Sequence, residues 1–210
     1  MRLDLFPLKL VLYPRMRVSL HVFEARYRTM IGRCIAENLA FGIVLIKEGE
    51  ETGPAATPHA VGTTARIIQT QQLDNGRLNI GVVGEQRFRV EAITATTPHV
   101  VADVALWPFH NDDPAAVARA RDVLRTKSQA GLALLLELQA GFNAALELPH
   151  DPERLALFVA AGLPVDAATK QALLETPSLD ALLQTEIELV DQQIGYLEAM
   201  IAKRWAARMN

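Results

Sequence analysis

Near the N-terminus, apolar residues are grouped in short extended runs that prolines interrupt. Pro7 and Pro14 have no backbone N–H, and each disfavours the helical region for the residue before it. We therefore predict one strand at residues 4–12 and another at 17–20, with a turn between them. A helix can begin only after the second of these strands.

From residue 21 onward, apolar residues recur at three- and four-residue steps, which is the repeat of an amphipathic helix. Charged residues occupy the opposite face, and Asn38 is of a type that often ends helices. The pattern predicts a helix that begins near His21 and buries its apolar stripe. The stripe consists of Phe23, Tyr27, Met30, Ile31, Cys34 and Ile35.

Between residues 41 and 107 the apolar period is close to two, which predicts strands joined by polar turns. Asn75-Gly76 supplies the positive φ values of a tight hairpin turn, and Gly84 permits a bend or bulge. Because strands and helices do not alternate here, we predict an antiparallel barrel of six or seven strands around one short helix. These strands are predicted at 41–46, 61–73, 78–83, 86–93 and 99–107, with a polar loop at 47–60.

From Asp113 the apolar period lengthens to about 3.6 residues, which predicts a helical C-terminal part. The apolar face continues to Leu146, and Gly131 and Gly141 leave open whether this segment is one helix or two.

Three later positions carry helix start signals. Asp151 and Asp166 are predicted N-caps of two short helices, and Thr176-Pro177 is the predicted start of a long final helix that reaches Arg208. The apolar seam of this last helix consists of Leu183, Ile187, Val190, Ile194, Leu197 and Ile201.

Charge follows the same division of the chain. Residues 1–110 hold 12 basic and 10 acidic side chains, whereas residues 111–210 hold 9 basic and 14 acidic ones. We therefore predict an α+β protein with a barrel domain at 1–110 and an α-helical domain at 111–210. The formal net charge of −3 makes nucleic acid an unlikely partner.

Composition indicates a compact protein, since 50% of the 210 residues are hydrophobic and 21% are charged. The longest apolar runs fall short of the ~20 residues that a membrane span needs, and the N-terminus has no basic leader before an apolar stretch. We therefore predict a cytoplasmic protein without a membrane segment, either monomeric or weakly self-associating.

Six motifs occur in a specific order: FPLKLVLYP, the PRM turn, VFEARY, FGIVL, VGTTARI and GEQRFRV. In this order they resemble the N-terminal (substrate-binding) domain of the Lon proteases, over residues 3–107. The helical remainder is similar in layout, especially PERLALFVAAGLP followed by KQALLE. The resemblance implies a PUA-like pseudo-barrel and mainly structural roles for Pro7, Pro14, Phe23, Glu24, Arg26, Tyr27, Gly84, Arg87 and Phe88.

Two positions depart from the family pattern. Arg15 stands where the family's turn usually has glycine, and Ala25 where it often has proline. The first departure bears on the turn itself, because only glycine takes a positive φ without steric cost.

The sequence contains no recognisable catalytic or metal-binding constellation. Its five histidines are far apart in the sequence, and none shares a ligand spacing with Cys34, whose place on the apolar stripe predicts a buried, inert thiol. Lys127 and Ser128 are adjacent on a predicted helix, where neighbours point about 100° apart and do not form a catalytic pair. The G-x-x-x-x-G-K-[ST] phosphate loop is also missing. We predict no catalytic residues, no metal and no cofactor.

Arginines form the candidate interaction surface. Strand alternation places Arg87 and Arg89 on the face opposite Phe88, where they could form a binding patch with Arg66 and Arg77. Two other interpretations remain open: a solvated face, or an ion pair from Arg87 to a carboxylate such as Glu24 that fixes the helix across the barrel.

The resemblance implies a non-catalytic protein-binding module that recognises exposed apolar or unfolded polypeptide segments, without ATPase or peptidase domains. Its partners would be protein or peptide clients, and possibly a protease or chaperone. The alternatives are an RNA-binding PUA-like module and a small-molecule sensor.

We expect the purified 210-residue chain to show neither ATP hydrolysis nor peptide cleavage, with or without added divalent metal. The reason is that both the phosphate loop and a nucleophile–base pair are missing from its sequence. Phosphate release and cleavage of a fluorogenic casein are the measurements. Turnover that survives stringent purification would contradict the prediction.

Overall fold

The computed structural model of the protein describes residues 1–111, 113–138 and 147–209. Within these ranges it contains six strands and five α-helices, so the predicted α+β class is confirmed. The strands are β1 (Arg2–Leu8), β2 (Arg17–Val22), β3 (Phe41–Glu48), β4 (Thr57–Gln72), β5 (Leu78–Ala95) and β6 (Val100–Leu106). The helices are α1 (Ala25–Glu37), α2 (Pro114–Leu138), α3 (Pro152–Gly162), α4 (Ala167–Leu174) and α5 (Leu179–Met209).

The sheet closes on itself through its longest strand, β5. The strand order is β2-β5-β4-β3-β1-β6, and β6 also pairs with β5. The first part of β5 pairs with β2, from Leu78 to Val83, while its second part pairs with β6, from Phe88 onward. Five strands thereby form a ring, and β2 is attached to its outside along the first part of β5.

One strand pair corrects the prediction of an antiparallel barrel. β1 and β3 run parallel, with Leu5 opposite Gly42 and Leu8 opposite Leu45. Parallel neighbours require a long crossover connection, and β2 together with α1 supplies it. The sheet is therefore mixed. Alternation of apolar residues cannot reveal this, because it is the same in either strand direction.

Several predicted strand limits shift in the structure. The first strand ends at Leu8 rather than at residue 12, and the predicted loop at 47–60 shortens to 49–56 because both flanking strands extend. The hairpin at Asn75-Gly76 is confirmed, with φ values of 62° and 70° in a single 3₁₀ turn, Asp74–Gly76. The predicted strands 78–83 and 86–93 are one continuous strand, β5.

The pairing of β5 with β4 shifts register next to Gly84. At the same residue, β5 is hydrogen-bonded to the turn at residues 13–16. The N–H of Gly84 donates to the Met16 carbonyl at 2.9 Å, and its carbonyl accepts from the Arg15 N–H at 2.7 Å. A side chain at Gly84 would place its Cβ well inside 3.0 Å of the Tyr13 carbonyl oxygen. Arg15 takes φ 68°, so this turn keeps the left-handed residue despite its departure from glycine.

Helix α1 begins at Ala25, four residues later than predicted. Residues 21 and 22 are still paired with Asn79 and Leu78 of β5, so they belong to β2. Phe23 consequently precedes the helix and is 48% exposed, which contradicts its predicted burial, and Ile35 is also exposed. The predicted end is confirmed, since Asn38 is a left-handed C-cap whose N–H donates to Cys34.

The barrel core has two clusters. The first joins α1 to the sheet: the ring of Tyr27 stacks on Phe6, with centroids 4.2 Å apart, and Met30 and Ile31 are fully buried beside them. The second surrounds Phe88, which no solvent reaches. The strand residues of both clusters come from the alternating apolar positions of the sequence, and the helix residues of the first come from the apolar stripe of α1.

The chain divides into two compact units. One contains Met1–Pro108 and Val165–Glu175, and the other contains Phe109–Pro164 and Thr176–Asn210. The predicted division after residue 110 placed all four C-terminal helices together. By compactness, however, α4 belongs with the barrel.

The predicted N-caps are confirmed. Asp151 accepts a hydrogen bond from the Arg154 N–H at 2.8 Å, and Asp166 accepts one from the Thr169 N–H at 2.7 Å. The last helix instead begins at Leu179, after the predicted Thr176-Pro177. His110 forms a short parallel bridge with Ser178, which holds this stretch extended.

Helix α2 runs without a break through Gly131 to Leu138. Gly141 and the end of the predicted apolar face at Leu146 lie outside the described residues. Whether the predicted segment forms one helix or two therefore stays a prediction beyond residue 138.

Helix α5 packs against α2 and α3, and its predicted seam is buried in part. Leu183, Val190 and Leu197 are buried, whereas Ile187, Ile194 and Ile201 are only half-buried. Glu186 is completely buried on the same side, and neither of its carboxylate oxygens has a hydrogen-bond partner of normal geometry among the described residues. Burial raises the pKa of Glu186 well above 4.5, and a weak interaction with the backbone of Ala160 opposes this only in part.

Tyr27→Ala should lower the free energy of unfolding by roughly 3 to 5 kcal/mol, because it removes a buried ring and leaves a cavity. Phe23→Ala is the matched control and should cost less than ~1 kcal/mol, since that ring is already half in solvent. Urea unfolding followed by circular dichroism measures both. Equal losses would contradict the different burial of the two rings.

Glu186→Gln should make the stability of the helical unit less dependent on pH. Above pH 4.5, the ordinary pKa of the carboxyl, the unfolded chain releases a proton that the folded state still holds. The free energy of unfolding therefore falls as pH rises towards the folded pKa, by up to ~1.4 kcal/mol per pH unit. Glutamine keeps the size of the side chain but has no proton to release. Urea unfolding at a series of pH values checks this; equal slopes for the two proteins would contradict it.

Candidate functional site

Arg87 is buried in the barrel unit, with only 4% of its surface exposed. Its guanidinium lies over the ring of Trp107 at 4.7 Å and donates to the Leu174 carbonyl at 2.6 Å. That carbonyl belongs to the last turn of α4, where a cation is favoured by the unpaired carbonyls and the helix dipole. Arg87 thus fixes the end of α4 and does not lie on a solvated face.

Two further polar contacts hold α4 in the barrel unit. The hydroxyl of Tyr13 donates to the Lys170 carbonyl at 2.7 Å, and Gln171 donates from Nε2 to the Val61 carbonyl at 3.0 Å. Gln171 also donates to Glu175 at 2.7 Å. No local pattern indicates the contacts with Tyr13 and Val61, which lie 157 and 110 positions from their partners in α4.

The motif residues that surround the barrel serve its packing. Pro7 is buried in β1 opposite Val44, and Phe88 fills the second core cluster. Pro14 is buried within the turn at residues 13–16, which is hydrogen-bonded to Gly84. These positions therefore explain a shared fold and provide no accessible site.

The VFEARY motif is held together locally. Glu24 is the N-cap residue of α1 and pairs with Arg26 at 3.1 Å, and the Arg26 guanidinium lies 4.5 Å from the centre of the Tyr27 ring. The predicted ion pair from Arg87 to Glu24 is therefore wrong: Arg26 takes the carboxylate, while Arg87 binds the end of α4. Phe23 instead lies beside the His21 ring, with centroids 5.8 Å apart.

The four arginines predicted as an interaction surface do not form one. Arg87 is buried, and Arg66 is paired with Glu85 at 2.5 Å. Arg77 and Arg89 are exposed, but Arg77 directly precedes β5 whereas Arg89 lies in the part of β5 that pairs with β6. Strand alternation predicts which face of the sheet a side chain lies on. It does not predict whether that side chain is buried or which partner it binds.

The helical unit contains an apolar cleft between α2, α3 and α5. Its volume is about 290 Å³, and its only polar lining side chains among the described residues are Ser128 and Gln193. Leu135 and Phe158 lie at its rim, 41% and 40% exposed. The rest of the wall consists of Gly131, Leu132, Leu148, Val159, Gly162, Leu163, Pro164, Val190, Ile194 and Leu197.

Part of this cleft could be read from the sequence. Leu132, Val190 and Ile194 lie on the predicted apolar stripes of α2 and α5, but periodicity does not show which stripes remain accessible. The sequence pattern does not single out Phe158 as a residue of the cleft, because α3 is apolar on most of its surface. The cleft is the space that α2, α3 and α5 leave unfilled next to the residues through which they pack together.

The described residues provide few groups for chemistry. Cys34 is buried, and burial raises its pKa above 9.0, which makes the thiolate rare. In the described part of the chain, no three histidine, cysteine or acidic side chains are grouped as a metal site would require. None of the described helices combines the length and the hydropathy that a membrane span requires.

The described residues thus form a closed mixed barrel in one unit and a group of helices with an apolar cleft in the other, which is an α+β architecture. The chain belongs to the family of ATP-dependent protease La (LON) substrate-binding domains, whose model matches residues 2–192. It is 27% identical to Lon protease 2 of Myxococcus xanthus over 91% of this chain, and 26% identical to Lon protease of Escherichia coli over 93%. It spans about a quarter of the length of these relatives.

Solved structures agree with this assignment. A Lon N-terminal domain protein from Xanthomonas campestris is 25% identical, with a TM-score of 0.60 over 88% of this chain and 96% of that one. The N-terminal domain of the Mycobacterium avium complex Lon protease has a TM-score of 0.63 at 19% identity, over 91% of this chain and 98% of that one. The second likeness concerns the fold alone.

Proposed function

We propose that the chain is a non-catalytic recognition module that binds exposed apolar segments of unfolded polypeptides in the cleft of its helical unit. Membership of a substrate-binding family supports a role in binding proteins. The observation that carries the proposal is the cleft, whose walls are apolar and whose rim exposes Leu135 and Phe158.

The dimensions of the cleft suit side chains rather than whole domains. A volume of about 290 Å³ accepts one or two large apolar side chains of a client. Each such side chain contributes roughly 1.5 to 3 kcal/mol when it leaves water, before the entropy of ordering the client is subtracted. Binding should therefore be weak and rapidly reversible, as suits a receptor that samples many clients.

The partners follow from this chemistry. Clients are polypeptides that expose apolar residues, and a protease or chaperone is the class of protein that would act on them. The relatives are named as proteases, and this chain spans about a quarter of each. A cytoplasmic location is part of the same proposal.

RNA binding has less support. The predicted arginine surface is divided by burial and by the ion pair of Arg66, and the net charge is −3. Phosphate contacts need several unpaired cationic side chains on one surface. Of the four predicted arginines, only Arg77 and Arg89 remain exposed without an ion pair among the described residues, which is too few to provide such a surface.

Leu135→Asp should weaken binding of a labelled, permanently unfolded apolar peptide by roughly tenfold or more, because a charge replaces a rim contact. Val123→Asp is the control: it lies on the same helix with 43% exposure, against 41% for Leu135, and does not line the cleft. Fluorescence anisotropy measures affinity and circular dichroism verifies folding. Equal affinities for the two folded variants would contradict the cleft as the binding site.

A further inference from the structure

Strand β4 has a free edge over its second half. From Val61 to Ala65 it lies between β3 and β5, and the last pair with β3 joins Ala65 to Phe41. Residues 66–72 continue beyond β3 and pair with β5 alone. On their other side, no backbone group of the described residues bonds to them.

This edge is open to solvent, and its one protecting device is the register shift at Ile68. Residues 68–72 are all exposed, and Ile68 is 51% exposed beside a register shift in the pairing with β5. Natural edges are usually blocked by lysine, proline or inward-pointing charges, and residues 66–72 contain neither lysine nor proline. Their charged member, Arg66, pairs with Glu85 and with the Asn38 carbonyl.

A groove follows the same edge. It lies between residues 66–70 of β4 and the C-terminal end of α1, with a volume of about 250 Å³. Ile35 and Leu39 line it from the α1 side and are exposed, at 42% and 41%. An edge strand beside a helix end thus offers backbone groups together with apolar contacts.

We propose that the free edge of β4 at residues 66–72 binds an extended polypeptide by strand addition. The occupant is an unfolded client segment with apolar residues at alternate positions, so the proposal rests on the proposed function. An extended backbone alone presents N–H and C=O groups at the spacing that β4 repeats on its free side. The alternate side chains would face Ile35, Leu39 and Ile68.

This mode of binding requires little sequence specificity. The register shift between Ile67 and Gln69 divides residues 66–72 into two regular parts. Within each part every second residue directs its N–H and C=O to the free side, which gives three such positions. Any segment without proline at the paired positions can satisfy them. The edge therefore supplies recognition of the unfolded state itself, whereas the cleft recognises apolar side chains.

The test uses two N-methylated forms of one short labelled peptide with leucine at alternate positions. Both carry the same number of N-methyl groups, placed on alternate residues in one form and on successive residues in the other. Alternate methylation leaves one peptide edge able to pair, whereas successive methylation blocks both. We expect the first to bind within about threefold of the parent and the second to bind roughly tenfold or more weakly. Equal affinities of the two forms would overturn strand addition.

A variant of the protein locates the edge. Ile68→Lys places a charge on this edge and should weaken binding of the unmethylated parent peptide by roughly fivefold or more. Ile93→Lys, at an exposed isoleucine of β5, should leave the affinity unchanged. Hydrogen exchange on peptide addition should slow at 66–72. Strand β2 also pairs with one strand among those described. If hydrogen exchange slowed at β2 instead of at 66–72, the assignment of the binding edge to β4 would be overturned.

The two proposals fail separately. Weaker binding by Leu135→Asp but not by Ile68→Lys would support the cleft and overturn the edge. The reverse would support the edge and remove the cleft. A doubled mass in light scattering that Ile68→Lys abolishes, without peptide binding at the edge, would identify a second copy of the chain as the occupant and overturn the client proposal.

Discussion

The barrel depends on the close approach of Gly84 to the carbonyl of Tyr13. The turn at residues 13–16 and β5 exchange two hydrogen bonds at this point, and a side chain at Gly84 would separate them. Because β5 shifts register here, its first part can pair with β2 and its second part with β6. One close contact therefore lets a single strand both close the ring and support the outer strand.

The same constraint creates the accessible edge. β5 continues past the ring to pair with β2, and β4 must accompany it through the hairpin at Asn75-Gly76. β3 begins only at Phe41, so β4 has no partner on that side beyond Ala65. A long strand pair that extends past a closed barrel leaves an edge whose backbone groups are available to pair with another strand.

Buried polar groups behave differently in the two units. In the barrel unit, Arg87 and Gln171 are buried, and each donates to a main-chain carbonyl, Leu174 and Val61, which offsets part of the cost of their burial. In the helical unit, Glu186 is buried, and among the described residues only a weak interaction with the backbone of Ala160 opposes its protonated form. The first arrangement favours one packing of α4 on the barrel, whereas the second raises the pKa of a carboxyl inside the helical unit.

The sequence by itself determined the local elements. The period-two and 3.6 patterns, the caps at Asp151 and Asp166 and the Asn75-Gly76 turn depend on neighbouring residues, and each was predicted and found. Only the tertiary structure decided which elements meet: the parallel pairing of β1 with β3, the burial of Arg87 beneath Trp107 and the position of α4 in the barrel unit. The cleft and the free edge belong to the same category. A local pattern states that a face is apolar or a strand extended, but which partner covers it depends on residues far away in the chain.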